Sequence, residues 1–144
     1  ILQDSPLDFM TGNRMDIASY IDEDADIHHI FPQAYCEKQN LPRIKWNSVI
    51  NKTPIYASYN SSMGGHAPSN YIGTMAKKGL DQEMIKAAIT SHKVNYDYLF
   101  ADDFDSYFID RAKHLLDRIE KATGKAISGR DSEETIREFG VALL

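Results

Sequence analysis

The stretch Asp26-Ile27-His28-His29-Ile30-Phe31-Pro32 sets two adjacent histidines between an acidic run and a short apolar segment closed by proline. Extended backbone sends neighbouring side chains to opposite faces. Two imidazoles side by side therefore share one site through a turn or bulge, or they do separate jobs. Histidine is a common metal ligand and also the side chain that exchanges protons near neutral pH. One ring for a metal and one for a proton is the chemistry of a metal-dependent nuclease.

Working outward, residues 25–31 predict a strand, and Pro32 ends its ladder pairing. Residues 33–39 predict a short helix with Pro32 at its first position, broken by Asn40-Leu41-Pro42. Residues 44–56 are rich in Ile, Val, Thr, Trp and Tyr, which predicts extended structure, with Pro54 limiting it to an edge strand or hairpin limb. Residues 58–69 are turn-rich. A helix is expected from near Asn60 or from Pro68-Ser69 to about Lys78, stopped by Gly79. Asp81 is the expected N-cap of a helix with Met84, Ile85, Ala88 and Ile89 on one face. Asp102-Asp103 opens the clearest helix, whose stripe is Phe104, Phe108, Ala112, Leu115, Ile119 and Ala122, with Gly124 as its stop. Residues 1–16 read as a loop, Asp22-Glu23-Asp24 as an acidic turn, and Asp131 with Glu134 as the capping box of a last helix.

The chain of 144 residues suits one domain: a lead-in over 1–25, a core over 26–79 and a helical scaffold over 80–144. The fold class expected is α+β. Hydrophobic content of 42% and charged content of 26% are those of an ordinary globular domain. No run approaches the roughly 18 apolar residues of a membrane span. No basic start followed by an apolar middle marks a secretory leader. The single cysteine, Cys36, cannot pair internally, so a reducing compartment, the cytoplasm, is expected. The chain opens at Ile1, which fits a C-terminal piece of something longer.

The net charge of −5 speaks against nucleic acid until its distribution is read. Residues 26–80 carry six bases (Lys38, Arg43, Lys45, Lys52, Lys77, Lys78) against Asp26 and Glu37, net +4, whereas both flanks are acidic. The only basic segment is the one with the paired histidines. Local positive charge is what phosphate binding needs.

Hydrolysing a phosphodiester requires an activated water, a stabilised pentavalent phosphorus and a stabilised leaving oxygen. A divalent ion serves the last two as a Lewis acid, and a neutral histidine serves the first as general base. His28 and His29 supply a ligand and a base. Asn47, Asn51 and Asn60 are the downstream candidates for a further ligand or for holding the frame, since an amide oxygen is a hard neutral donor. His66, His92 and His114 have no neighbours in sequence that would make a cluster and are expected in surface or packing roles. Trp46 and Tyr59 are expected in the core.

The double-His-Ile-Phe-Pro string, followed by Asn51-Lys52-Thr53 and by the run from Asn60 through Gly64-Gly65-His66 to Ser69, resembles the HNH nuclease domain at the C-terminus of GmrSD-type, modification-dependent restriction endonucleases. The resemblance is densest over residues 26–75 and looser in the helices that follow. It implies a ββα-metal core holding one divalent ion. On it His29 matches the general base, His28 a metal ligand, Asn60 the second metal ligand, Asn51 the central asparagine that holds the loop and orients the base, and Asp26 a nearby supporting acid. Asparagine at the final motif position implies magnesium or manganese rather than zinc. The resemblance further implies DNA as substrate, with phosphate contacts from Lys52, Lys77 and Lys78. It also implies defence against phage and an N-terminal nucleotide-hydrolysing or sensor domain on the same polypeptide. A non-catalytic module that binds nucleic acid or a partner through a structural or degenerate metal site is the alternative.

Overall fold

The computed structural model describes residue 7, residues 25–56 and 64–125, and residues 129, 130 and 133; of Ala25, Asp26 and Tyr56 it describes the backbone. The expected acidic turn at 22–24, the last helix after Asp131, Tyr59 and the candidate ligand Asn60 lie outside the described residues.

The architecture is α+β: a small two-stranded sheet and a larger set of helices. Strand β1, Ala25–His29, pairs antiparallel with β2, Lys52–Tyr56. His28 lies opposite Thr53 and His29 opposite Lys52. Pro54 faces Ile27 and has no amide hydrogen to give, which a two-stranded ribbon tolerates because every strand in it is an edge. Between the strands lie α1, Gln33–Lys38, and α2, Arg43–Trp46, then a 3-10 turn at Val49–Asn51.

Residues 44–51 correct the expectation of extended structure. Their β-branched residues do not face a sheet: Ile44 is 85% exposed and Val49 75% exposed. Successive turn bonds, Trp46 N to Pro42 O and Asn51 N to Ser48 O among them, take the backbone instead. This curl buries Trp46 and Asn51. β-propensity describes how a side chain fits a pleated, half-buried surface, and here no partner strand offers one.

The later helices follow the sequence signals closely. Helix α3, Pro68–Lys77, begins on proline, and Gly79 follows it at φ +98°. Helix α4, Gln82–Ser91, is capped by Asp81, whose carboxylate accepts from Met84 N. A short α5, Tyr96–Phe100, precedes α6, Phe104–Thr123, capped by Asp103 and closed by Gly124 at φ +69°. On α6 the stripe is buried at Phe104, Phe108 and Ala112, together with Tyr107 and Arg111. It does not continue: Ile119 is 51% exposed among the described residues.

One core joins the sheet to these helices. Phe31 is its hub, with ring centroids 4.7 Å from Tyr107, 5.2 Å from Phe104 and 6.0 Å from Tyr35. Ile30, Cys36, Ile55, Tyr71, Met75, Ile89 and Leu99 complete its fully buried part. Among the described residues no helix is long and apolar enough to cross a membrane.

Candidate functional site

Strand β1 ends at His29, and the chain turns at once through Ile30, Phe31 and Pro32. The backbone of this turn is tied down from several elements. Ile30 N donates to Asn51 O at 2.8 Å. Phe31 N donates to Asn51 Oδ1 at 2.9 Å, and Asn51 Nδ2 returns a bond to Phe31 O at 3.0 Å. Tyr71 on α3 donates its hydroxyl to Ile30 O at 2.9 Å, and Cys36 Sγ on α1 lies 3.5 Å from Phe31 O.

Asn51 is fully buried and fully used. Besides Phe31 it donates to Trp46 O at 2.9 Å and accepts from the Tyr107 hydroxyl at 2.9 Å. Arg111, one turn further along α6, donates from Nε to His92 O and from Nη1 to the carbonyls of Ile50 and Lys52. The long helix thus grips both sides of Asn51. Burial raises the Tyr71 and Tyr107 hydroxyls above the usual tyrosine range, so they stay protonated and act as donors. Burial likewise pushes the Cys36 thiol up to about 12, which removes it as a nucleophile.

In front of this turn is a cavity of about 200 Å³ bordered by His28, His29, Pro32, Gln33, Ala34, Gly64 and Gly65. Alternation along a strand separates neighbouring rings, yet both border this one cavity. His28 Nε2 is buried and, among the described residues, has no hydrogen-bond partner. The His29 ring is held by Asn47, whose Oδ1 lies 3.1 Å from Nε2, and by the Trp46 ring at 5.6 Å in an edge contact. In the tautomer that donates Nε2–H to Asn47, the basic lone pair of His29 is on Nδ1.

The candidate residues therefore separate. His28 and His29 come together. Asn51 stands behind the turn and fixes its backbone, so it is a positioning residue and not one that touches the cavity; Asn47 is the amide that orients His29. Asp26 takes the β1 position opposite Ile55, and its side chain, like all of Asn60, lies outside the described residues. Lys52 faces His29 across the ladder. Lys77 and Lys78 sit at the far end of α3, one helix length (~15 Å) from the Gly64-Gly65 end that borders the cavity. Among the described residues no group of three His, Cys, Asp or Glu side chains is arranged to hold a metal ion.

Sequence reading missed Tyr107 and Arg111. Their signal was present: they stand at i and i+4, each beside a stripe residue, on the face of α6 that the apolar stripe turns inward. His92, expected in a packing or surface role, is a buried strut. Nδ1 meets Thr53 Oγ1 at 2.5 Å and Nε2 meets Leu7 O at 2.6 Å. Burial lowers it to about 3, so it remains neutral.

No protein-family model matches the chain, and no solved structure matches it. An uncharacterized protein of Methanocaldococcus jannaschii is 31% identical over 103 residues, which cover 66% of this chain. The chain spans only 17% of that relative's length.

Proposed function

We propose that this domain is a metal-dependent HNH endonuclease that hydrolyses DNA phosphodiester bonds, with β1, β2 and a following helix forming a ββα-metal core. The observation that carries the reading is the unpartnered, buried Nε2 of His28 beside an amide-oriented His29 on one cavity. A buried ring nitrogen without a partner costs free energy, and coordination of a cation removes that cost.

The donor set suits a hard divalent ion, magnesium or manganese. His28 is one ligand, and the amide oxygen of Asn60 and the carboxylate of Asp26 are the others that the resemblance assigns. When bound, such an ion would neutralise charge on the phosphate and the departing oxygen. His29 withdraws a proton from water through Nδ1, while Asn47 on Nε2 fixes the tautomer and steadies the imidazolium that results. Asn51, with Tyr71 behind Ile30, keeps the turn from moving as the ring changes charge. DNA cleavage in defence against phage, and a sensor domain on the same polypeptide, belong to the same proposal.

The test is nicking of supercoiled plasmid with magnesium or manganese. Cleavage is expected to require the metal and to fall at least ~100-fold in His29→Ala. Chelator-insensitive DNA binding without cleavage, unchanged in His29→Ala, would identify a binding module instead.

A further inference from the structure

A second cavity, of about 360 Å³, adjoins the first and shares Gly65 with it. Its walls are Tyr35, Lys38 and Gln39 from the end of α1 and His66, Ser69 and Asn70 from the start of α3. Gly65 lies so close to α1 that a Cβ there would meet the Ala34 Cβ at 2.8 Å. With hydrogen in its place, Gly65 borders both cavities at this close approach.

The chemistry of the second cavity is one-sided. Among the described residues no carboxylate lines it. The nearby Asp102 carboxylate is engaged, accepting from Ser69 N at 2.9 Å and from Ser69 Oγ at 2.6 Å. What remains is an ammonium, two amides and an imidazole, all exposed, with the Tyr35 ring beside them. Burial and the field of Asp102 raise the Tyr35 hydroxyl, which keeps it a donor. Such a set of donors around one cation recognises phosphate and sugar oxygens rather than a base sequence. The larger cavity of about 450 Å³ beside α4 and α6 differs: Lys86 and Lys93 share it with Asp97 and Asp110, and none of its residues borders the histidines.

Resting on the nuclease reading, we infer that the groove formed by Lys38, Gln39, His66 and Asn70 holds the DNA backbone next to the scissile phosphate, with Lys38 as its main phosphate contact. The strand leaves the histidine cavity over Gly65 and lies along this groove.

The experiment is fluorescence anisotropy of a short labelled duplex over a salt series, with chelator present so that no strand is cut. The full chain is compared with Lys38→Ala, the Lys38→Ala/His66→Ala pair and the control Lys93→Ala, each checked by thermal melting. Lys38→Ala is expected to weaken binding several-fold and to reduce the slope of log affinity against log salt by about 1. The pair is expected to weaken it further, and Lys93→Ala to change neither quantity. Binding and slope in Lys38→Ala equal to those of the parent overturn the inference, as does equal loss in Lys93→Ala or a parent chain that binds no duplex. A parent that binds through Lys38 but never nicks plasmid with manganese sinks the nuclease reading and leaves the groove. A parent that nicks while Lys38 is indifferent sinks the groove alone.

Discussion

The turn that follows the paired histidines and the cavity that precedes it are neighbours with opposite treatment of polar groups. In the turn, the carbonyls of Ile30 and Phe31 and both their amides find partners, drawn from Asn51, Tyr71 and Cys36. In the cavity, one ring nitrogen has none among the described residues, and the other ring has one exposed amide and an edge contact with Trp46. Polar atoms left without partners survive where the surrounding structure over-determines their position. The satisfied turn is the reason that the unsatisfied cavity can exist: the cost of His28 is borne by a frame that cannot relax around it.

The contrast breaks first at Asn51. Its amide serves Phe31, Trp46 and Tyr107 at once, so Asn51→Ala strands several buried groups together. A loss of about 3–5 kcal/mol is expected in urea unfolding, enough to unfold a marginal domain. If Asn51→Ala stays within 1 kcal/mol of the parent (roughly the loss of one net hydrogen bond), the turn is not the frame described.

The pH dependence of His92 comes next. Its folded value of about 3 lies below the ordinary 6.5, so the unfolded chain takes up the proton first. Stability contributed by the neutral ring is complete above about 6.5 and is lost as pH falls from there toward 3. The expected slope approaches about 1.4 kcal/mol per pH unit below the unfolded value. Unfolding measured between pH 7 and 5, before most carboxylates titrate, checks it; His92→Gln should flatten that portion while lowering stability throughout.

Tyr107→Phe removes one donor to Asn51 Oδ1 and leaves the ring packing against Phe31, so about 1–2 kcal/mol is expected. The smallest effect sharpens the comparison most. His28→Ala deletes a group whose Nε2 makes no bond among the described residues. Relief of that uncompensated burial offsets the packing lost with the half-buried ring, so metal-free stability should move by no more than about 1 kcal/mol. The rise in melting temperature that manganese gives the parent should vanish in the variant. A large metal-free loss in His28→Ala would mean that the ring is a packing residue.

How much of this was written in the sequence depends on the range of the forces involved. Caps and stops are local chemistry. Asp81, Asp103, Pro68 and Gly124 act within a turn of their own position, and each stands where the chain alone placed it. The paired histidines were legible as a local string, and the α+β class from the succession of extended and helical patterns. Residues 44–51 were misread because β-branched side chains predict a strand only where a neighbouring strand receives them. The burial of Trp46 and Asn51 decided otherwise. The bonding partners of Tyr107, Arg111 and His92 were not legible, because each contacts residues between 19 and 85 positions away in the chain.

By itself the amino-acid sequence determined where helices start and stop, which segment is basic and which two rings stand side by side. Only the tertiary structure decided that Asn51 braces the turn from behind while Asn47 holds the ring, and that Lys38 rather than Lys77 or Lys78 lines the cavity that shares Gly65 with the histidine cavity. The physical reason is that caps and charge runs are set by neighbours in sequence, whereas a buried amide finds its partners only once the helices have closed over it.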